Sequence, residues 1–172
     1  EEHEDPQHHD EQGMDPHVWL SLENTARIVN KTADAMVHER PYMRDVFYAN
    51  RDRYTSQLFE VDHTIRSTLK SLQNRAILVY HPAFGYFCRD YNLTQIAIEE
   101  NGREPSAQHL AAIITQAQNE GIRLIFAEPE SSTKQAETLA RELNGTVVLI
   151  SPLAGNYLEN MQRIADHIAA SS

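Results

Sequence analysis

The chain has 172 residues, 41% hydrophobic and 23% charged. That is enough apolar material for one packed domain, or for one lobe plus a connecting element of something larger, and too much for global disorder. A formal net charge of −10 argues against a nucleic-acid partner, because neutralising phosphates needs clustered Lys and Arg. No stretch approaches the ~18 continuous apolar residues of a membrane span, and the lone Cys88 allows neither an internal disulfide nor a cysteine-based zinc knuckle.

Residues 1–16 (EEHEDPQHHDEQGMDP) carry almost no apolar side chain and read as a loop. The chain starts without Met and without a basic, apolar leader, as a mature or trimmed product or a fragment would. From Ser21 the pattern turns helical: Leu22, Ala26, Ile28, Val29, Ala33, Met36 and Val37 recur at steps of three and four until Pro41. A second stripe, from Met43 through Phe47, Leu58 and Ile65 to Leu72, predicts one helix over residues 43–72. Such a helix would be roughly 45 Å long. That exceeds the width of a small domain and suits an element joining two bodies.

After Asn74 the period shortens. Ala76–Tyr80, Leu93–Ile98, Ile122–Ala127 and Thr146–Ile150 are short β-rich runs. Helical segments lie between and after them: near 83–91, from Pro105-Ser106 to about Glu120 with Gly121 as cap, from about Ser132 to Leu143 closed by Asn144-Gly145, and over Tyr157–Ala170. The βαβαβαβα order with nearly continuous apolar strands predicts an α/β fold, a four-stranded parallel sheet covered on both faces.

Ligands of open parallel sheets bind beyond the carboxyl ends of the strands. The residues there are His81-Pro82, Glu99-Glu100, Glu128-Pro129 and Ser151-Pro152. An imidazole among carboxylates suits a divalent metal, with the carboxylates completing or orienting the site. Histidine is abundant, nine residues in all, four of them within residues 3–17. His17, in Asp15-Pro16-His17-Val18-Trp19, reads either as a residue leading into a helix, with Trp19 as packing anchor, or as a ligand. His81 reads either as a hydrogen-bonded strand-end histidine or as a ligand. His3, His8 and His9 are either inert or a weak metal collector, their acidic neighbours attracting cations. His38, His63, His109 and His167 fall in helices beside polar neighbours and are expected at the surface. The dinucleotide, Walker, HExxH and Gly-x-Ser-x-Gly motifs are all missing from the sequence. Glu99-Glu100 with Glu128 leave a two-carboxylate hydrolase as a remote alternative.

The segments DPHVWLS (15–21), YHPAFGYF (80–87), IEENGREPS (98–106), FAEP (126–129) and SPLA (151–154) together resemble the zinc-specific solute-binding proteins of bacterial and archaeal ABC importers, in order and over essentially the whole chain. The resemblance implies two α/β lobes joined by one long helix, with the metal between them. Residues 1–40 would end the N-terminal lobe and include a His-rich acidic loop (1–16), residues 41–74 would be the connecting helix, and residues 75–172 the C-terminal lobe. Most of the N-terminal lobe, and the family's first histidine ligand, would lie outside this sequence.

His17 matches the family's second histidine and His81 its third. A histidine at position 81, where manganese-type relatives tend to carry a carboxylate, points to zinc. Many relatives carry Asp at the position of Ser151. The implied function is a zinc-binding receptor and not an enzyme, periplasmic or otherwise extracytoplasmic, anchored to the cell surface in organisms that are not Gram-negative. It would hold Zn²⁺ through neutral imidazoles and hand it to the membrane permease of an ATP-driven importer. The same fold selecting manganese or iron is the nearest alternative, and a metal-dependent hydrolase the alternative from another class. His17 and His81 are expected on opposite sides of the cleft, with no fixed separation in the absence of the remaining lobe. The apolar face of the helix over 21–40 is expected to be exposed.

Overall fold

The computed structural model describes residues 14–100, 102–129 and 134–170; His3, His8 and His9 lie outside them. Local signals start the helices where the sequence predicts. Ser21 Oγ accepts the Asn24 N–H at 3.1 Å and caps α1 (Leu22–Glu39), satisfying a backbone donor that the first turn leaves free. A 3₁₀ turn at Pro41–Met43 separates α1 from α2 (Arg44–Thr68). The 25 residues of α2 span about 37 Å, less than the helix expected over 43–72. It closes early because its last carbonyls find other donors. The Leu69 N–H still donates to the Ile65 carbonyl at 2.9 Å, but the Lys70 N–H turns back to the Ser67 carbonyl at 3.4 Å, and the Arg75 guanidinium donates to the Leu69 carbonyl at 3.2 Å. Leu69 and Leu72 continue the apolar stripe into the core from a turn rather than from the helix.

The rest alternates strand and helix: β1 (Ala76–Val79), α3 (Gly85–Asp90), β2 (Thr94–Ala97), α4 (Ala107–Asn119), β3 (Leu124–Ala127), α5 (Lys134–Glu142), β4 (Thr146–Leu149) and α6 (Tyr157–Ala170). All strand pairings are parallel, in the order β2-β1-β3-β4. The α/β class and four-stranded parallel sheet expected from the sequence are therefore observed. Ser106 Oγ caps α4 by accepting the His109 N–H. Gly121, at φ +68°, reverses the chain after α4, and the next N–H, of Ile122, reaches the Ala117 carbonyl at 2.8 Å.

Strand periodicity sorts the core into two layers. Ile77, Val79 and Phe126 point into one cluster, with Leu20, Leu22, Ala26, Leu58, Ile65, Phe87 and Ile164 from α1, α2, α3, α6 and the segment before α1. Leu78, Ile125 and Ala127 point the other way, to Ile113, Ala117, Leu139 and Ala140 of α4 and α5. Helix α2 packs against both α1 and α6. Among the described residues no helix is long and apolar enough to cross a membrane. The apolar face expected to be exposed over 21–40 is only partly so: Ile28 and Met36 are exposed, whereas Leu22, Ala26 and Ala33 are buried, and on α2 Val46 and Phe59 are exposed.

Candidate metal centre

Strand order locates the site. From β2 the chain crosses over β1 to reach β3, so the sheet changes direction between β1 and β3. The crevice at the carboxyl ends of such a pair is where open α/β sheets bind ligands. His81 follows β1 and Glu128 follows β3.

The parallel register puts a carboxylate beside His81. Each β1 residue pairs with the residue 18 positions later, Ala76 with Thr94 through Val79 with Ala97. The pairing runs on past the strands, with the Ile98 N–H donating to Val79 O and the Glu99 N–H to Tyr80 O. His81 and Glu99 therefore stand side by side, and His81 Nδ1–H donates to Glu99 Oε2. Just beyond, the Phe84 N–H donates to Gln95 Oε1 at 2.7 Å and pins the turn that carries His81 to β2.

His17 reaches the same place from a segment well before β1 in the chain. It stands at the N-cap of a short 3₁₀ turn, Val18–Leu20, followed by the fully buried Leu20 and Ser21. Trp19 Nε1–H donates to Pro152 O at 2.9 Å, beyond β4. The Trp19 carbonyl accepts from Tyr157 Oη at 2.7 Å and from Thr25 Oγ1 at 3.0 Å. The segment is thus tied to α6 and to the β4 edge. The rings of His17 and His81 meet edge to face, with centroids 5.2 Å apart and planes at 77°. This corrects the expectation of an unfixed separation across a cleft: burial of Leu20 and Ser21, together with the Trp19 hydrogen bonds, holds His17 on the body that carries His81.

His17 also leans on a carboxylate. Asp15 Oδ1 accepts the His17 backbone N–H at 2.9 Å and the ring Nδ1–H at 2.7 Å. Both imidazoles are therefore held through Nδ1, and each keeps its Nε2 lone pair for a ligand. A carboxylate on the far nitrogen is the usual support of a metal-bound histidine, fixing tautomer and ring angle. The sequence signal for Asp15 was an Asp two residues before a histidine, the spacing at which an aspartate side chain accepts a backbone N–H and makes a turn.

The other strand-end residues are placed differently. Glu100 turns towards α4, where its Oε2 accepts the Ser106 N–H at 3.0 Å. That bond, aided by the nearby His109, holds its carboxyl below the ordinary range. Glu128 lies at the end of β3, half-buried. Ser151 lies beyond β4, two strands from β1, a backbone separation of roughly 10 Å, and its Oγ accepts the Leu153 N–H at 3.2 Å. Among the described residues, no group of three or more His, Cys, Asp or Glu closes on one point as a complete metal site. His38 and His63 are exposed, His109 and His167 half-buried. Cys88 is 3% exposed, and burial pushes its thiol up to about 12, which makes it an inert core residue.

The chain is 34% identical over 167 residues to the zinc-binding protein AdcA of Streptococcus pyogenes serotype M18, covering 92% of this chain and 32% of that protein. It is 32% identical over 144 residues to the high-affinity zinc uptake system protein ZnuA of Bacillus subtilis, covering 83% of this chain and 45% of that protein. A crystal structure of ZnuA superposes with a TM-score of 0.91 at 35% identity, covering 97% of this chain and 66% of that one. A ZnuA deletion mutant crystallised with zinc bound gives 0.87 at 36% identity, covering 91% and 60%. The chain thus spans less than half the length of these two curated relatives. The family described as zinc-uptake complex component A, periplasmic, matches residues 1–171, and the chain belongs to that family.

Proposed function

We propose that this chain is the metal-holding part of an extracytoplasmic receptor that binds zinc without turnover and delivers it to an ABC-type membrane importer. The observation that carries the reading is the pair of imidazoles, each supported at Nδ1 by a carboxylate, with centroids 5.2 Å apart. Two imidazoles on one tetrahedral zinc, at Zn–N of about 2.0–2.1 Å, would have their centroids about 5 Å apart. Asp15 and Glu99, spent on Nδ1, act as supports rather than ligands. Nitrogen donors favour zinc over manganese, which prefers oxygen.

His17 and His81 supply two of about four donors that a tetrahedral site requires. Water is a candidate for the remainder, with a further histidine from a second lobe; Ser151, whose hydroxyl is a poor zinc ligand, lies two strands from β1. His3, His8 and His9 would add weak, fast-exchanging zinc equivalents. On this reading residues 1–40 end the N-terminal lobe, 41–74 connect and 75–172 form the C-terminal lobe. The apolar strip of Ile28, Met36 and Phe47 between α1 and α2 is where more of the first lobe would pack. The relatives named for zinc uptake support the cargo, the importer as partner and the extracytoplasmic location.

The test is a zinc titration in competition with manganese, on the chain and on its His17→Ala and His81→Ala variants. Zinc should be preferred by a clear margin, and each substitution should abolish site-specific binding. With two donors the chain should bind zinc far more weakly than a complete receptor. Equal affinity for the two ions would sink the zinc assignment. Tight binding that survives His81→Ala would move the metal elsewhere, nearest to Glu100 or Glu128.

A further inference from the structure

Gly85 is the first residue of α3, and helix propensity does not call for glycine there; in a helix interior it costs about 0.5–1 kcal/mol relative to alanine. Nor does the backbone require it: among the described glycines only Gly102 and Gly121 have positive φ. What Gly85 lacks is a Cβ, and a Cβ built there would stand 2.7 Å from Oδ2 of Asp15 and 3.9 Å from its Cγ, with no other neighbour within 4 Å. Gly155, by contrast, would meet nothing within 4 Å. The space beside Gly85 is filled by the carboxylate whose other oxygen accepts both the backbone N–H and the ring Nδ1–H of His17.

We propose that Gly85 is a positioning residue that seats the Asp15 carboxylate, which in turn sets the tautomer and ring angle of His17 towards the metal. This rests on the reading of His17 as a ligand. The two supports are built differently. Glu99 meets His81 through strand register, which backbone hydrogen bonds enforce along the sheet. Asp15 precedes the first packed residue and rests on one Asx turn, so its carboxylate needs a seat supplied from elsewhere. A methyl group at position 85 would displace the free end of a flexible side chain, not backbone, so the fold tolerates it while the His17 orientation does not. Gly85→Ala therefore separates function from stability: the helix gains a better former and the site loses its support.

The experiment uses the full chain and four variants, Gly85→Ala, Asp15→Ala, the double variant and His17→Ala, with Gly155→Ala as control. Long-range ¹H–¹⁵N spectra of the metal-free proteins read the tautomer of His17. A zinc titration followed at the His17 and His81 ring signals reads affinity at this site alone. Gly85→Ala should move His17 from the Nδ1–H towards the Nε2–H tautomer and weaken zinc binding by about 10–100-fold, the usual loss when a ligand's supporting group is removed, with no lower melting temperature. Asp15→Ala should do the same, and the double variant should be no worse than Asp15→Ala alone. Gly155→Ala should change neither readout. Gly85→Ala with wild-type tautomer and affinity, or a double variant whose loss is the product of the two single losses, would overturn the inference. His17→Ala at wild-type affinity would instead overturn the ligand assignment, and the inference with it.

Discussion

Replacing Tyr157 by Phe tests how the His17 segment is held. Three oxygens, Tyr157 Oη, Thr25 Oγ1 and the Trp19 carbonyl, lie 2.7, 2.8 and 3.0 Å from one another. Two hydroxyl protons serve three contacts, so the carbonyl always holds at least one. Tyr157→Phe removes one donor but leaves Thr25 on the carbonyl, so no buried acceptor is orphaned. The cost should be that of one net hydrogen bond, about 1–1.5 kcal/mol, or roughly 2–6 °C in melting temperature for a chain of this size. Thr25→Val alone should cost a similar amount. The double variant orphans the carbonyl and should exceed the sum of the singles by about 1 kcal/mol.

A pH dependence follows from the same hydroxyl. Burial pushes the Tyr157 phenol up to about 12, above its ordinary value near 10. Because the folded value is the higher one, its stabilisation is complete below pH 10 and is lost as pH rises through 12. The deficit of Tyr157→Phe relative to wild type should therefore narrow over that window. Urea denaturation with an unchanged m-value measures both effects. A single-variant cost below about 0.3 kcal/mol, set against the expected net bond, or a double variant that merely adds, would refute the network as the clamp on the segment.

Gly145→Ala should destabilise the chain by about 2–3 kcal/mol, because the new Cβ would stand 2.1 Å from the Arg123 carbonyl, the backbone oxygen that begins the β3–β4 ladder; chemical denaturation measures it. Cys88 should resist thiol reagents at pH 8 until denaturant is added. Since burial raises its thiol from 9.0 to about 12, native stability should fall as pH rises across that window, by about 1.4 kcal/mol per unit at most; melts at stepped pH in wild type and Cys88→Ala separate this contribution. Deleting residues 1–12 should lower the number of zinc ions bound while leaving helical content and melting temperature nearly unchanged, since the segment carries almost no apolar side chain; a large loss of stability would contradict this.

Much of the architecture was legible because the signals are local. Periodicity marks which side of each strand and helix is apolar, and Ser21, Ser106 and Gly121 mark helix ends through hydrogen bonds that reach only a few residues. The end of α2 was misjudged because Leu69 and Leu72 keep the helical spacing while Arg75, from the following loop, takes over the Leu69 carbonyl. His17 and His81 stand out as candidate ligands through the motifs around them, and Glu99 as a strand-end carboxylate able to orient a ligand.

The sequence by itself determined the alternation of strands and helices, their inward faces and the residue types at the strand ends, because each follows from neighbours within a turn or a strand. Only the tertiary structure decided that β3 lies beside β1, that the residue offset of 18 sets Glu99 against His81, and that Trp19 hooks onto Pro152 and Tyr157 so that His17 meets His81. The same is true of Gly85, whose missing side chain makes room for Asp15. Periodicity records which way a side chain faces but not which distant segment it faces, and a candidate site assembled from segments far apart in the chain forms only once the core has closed.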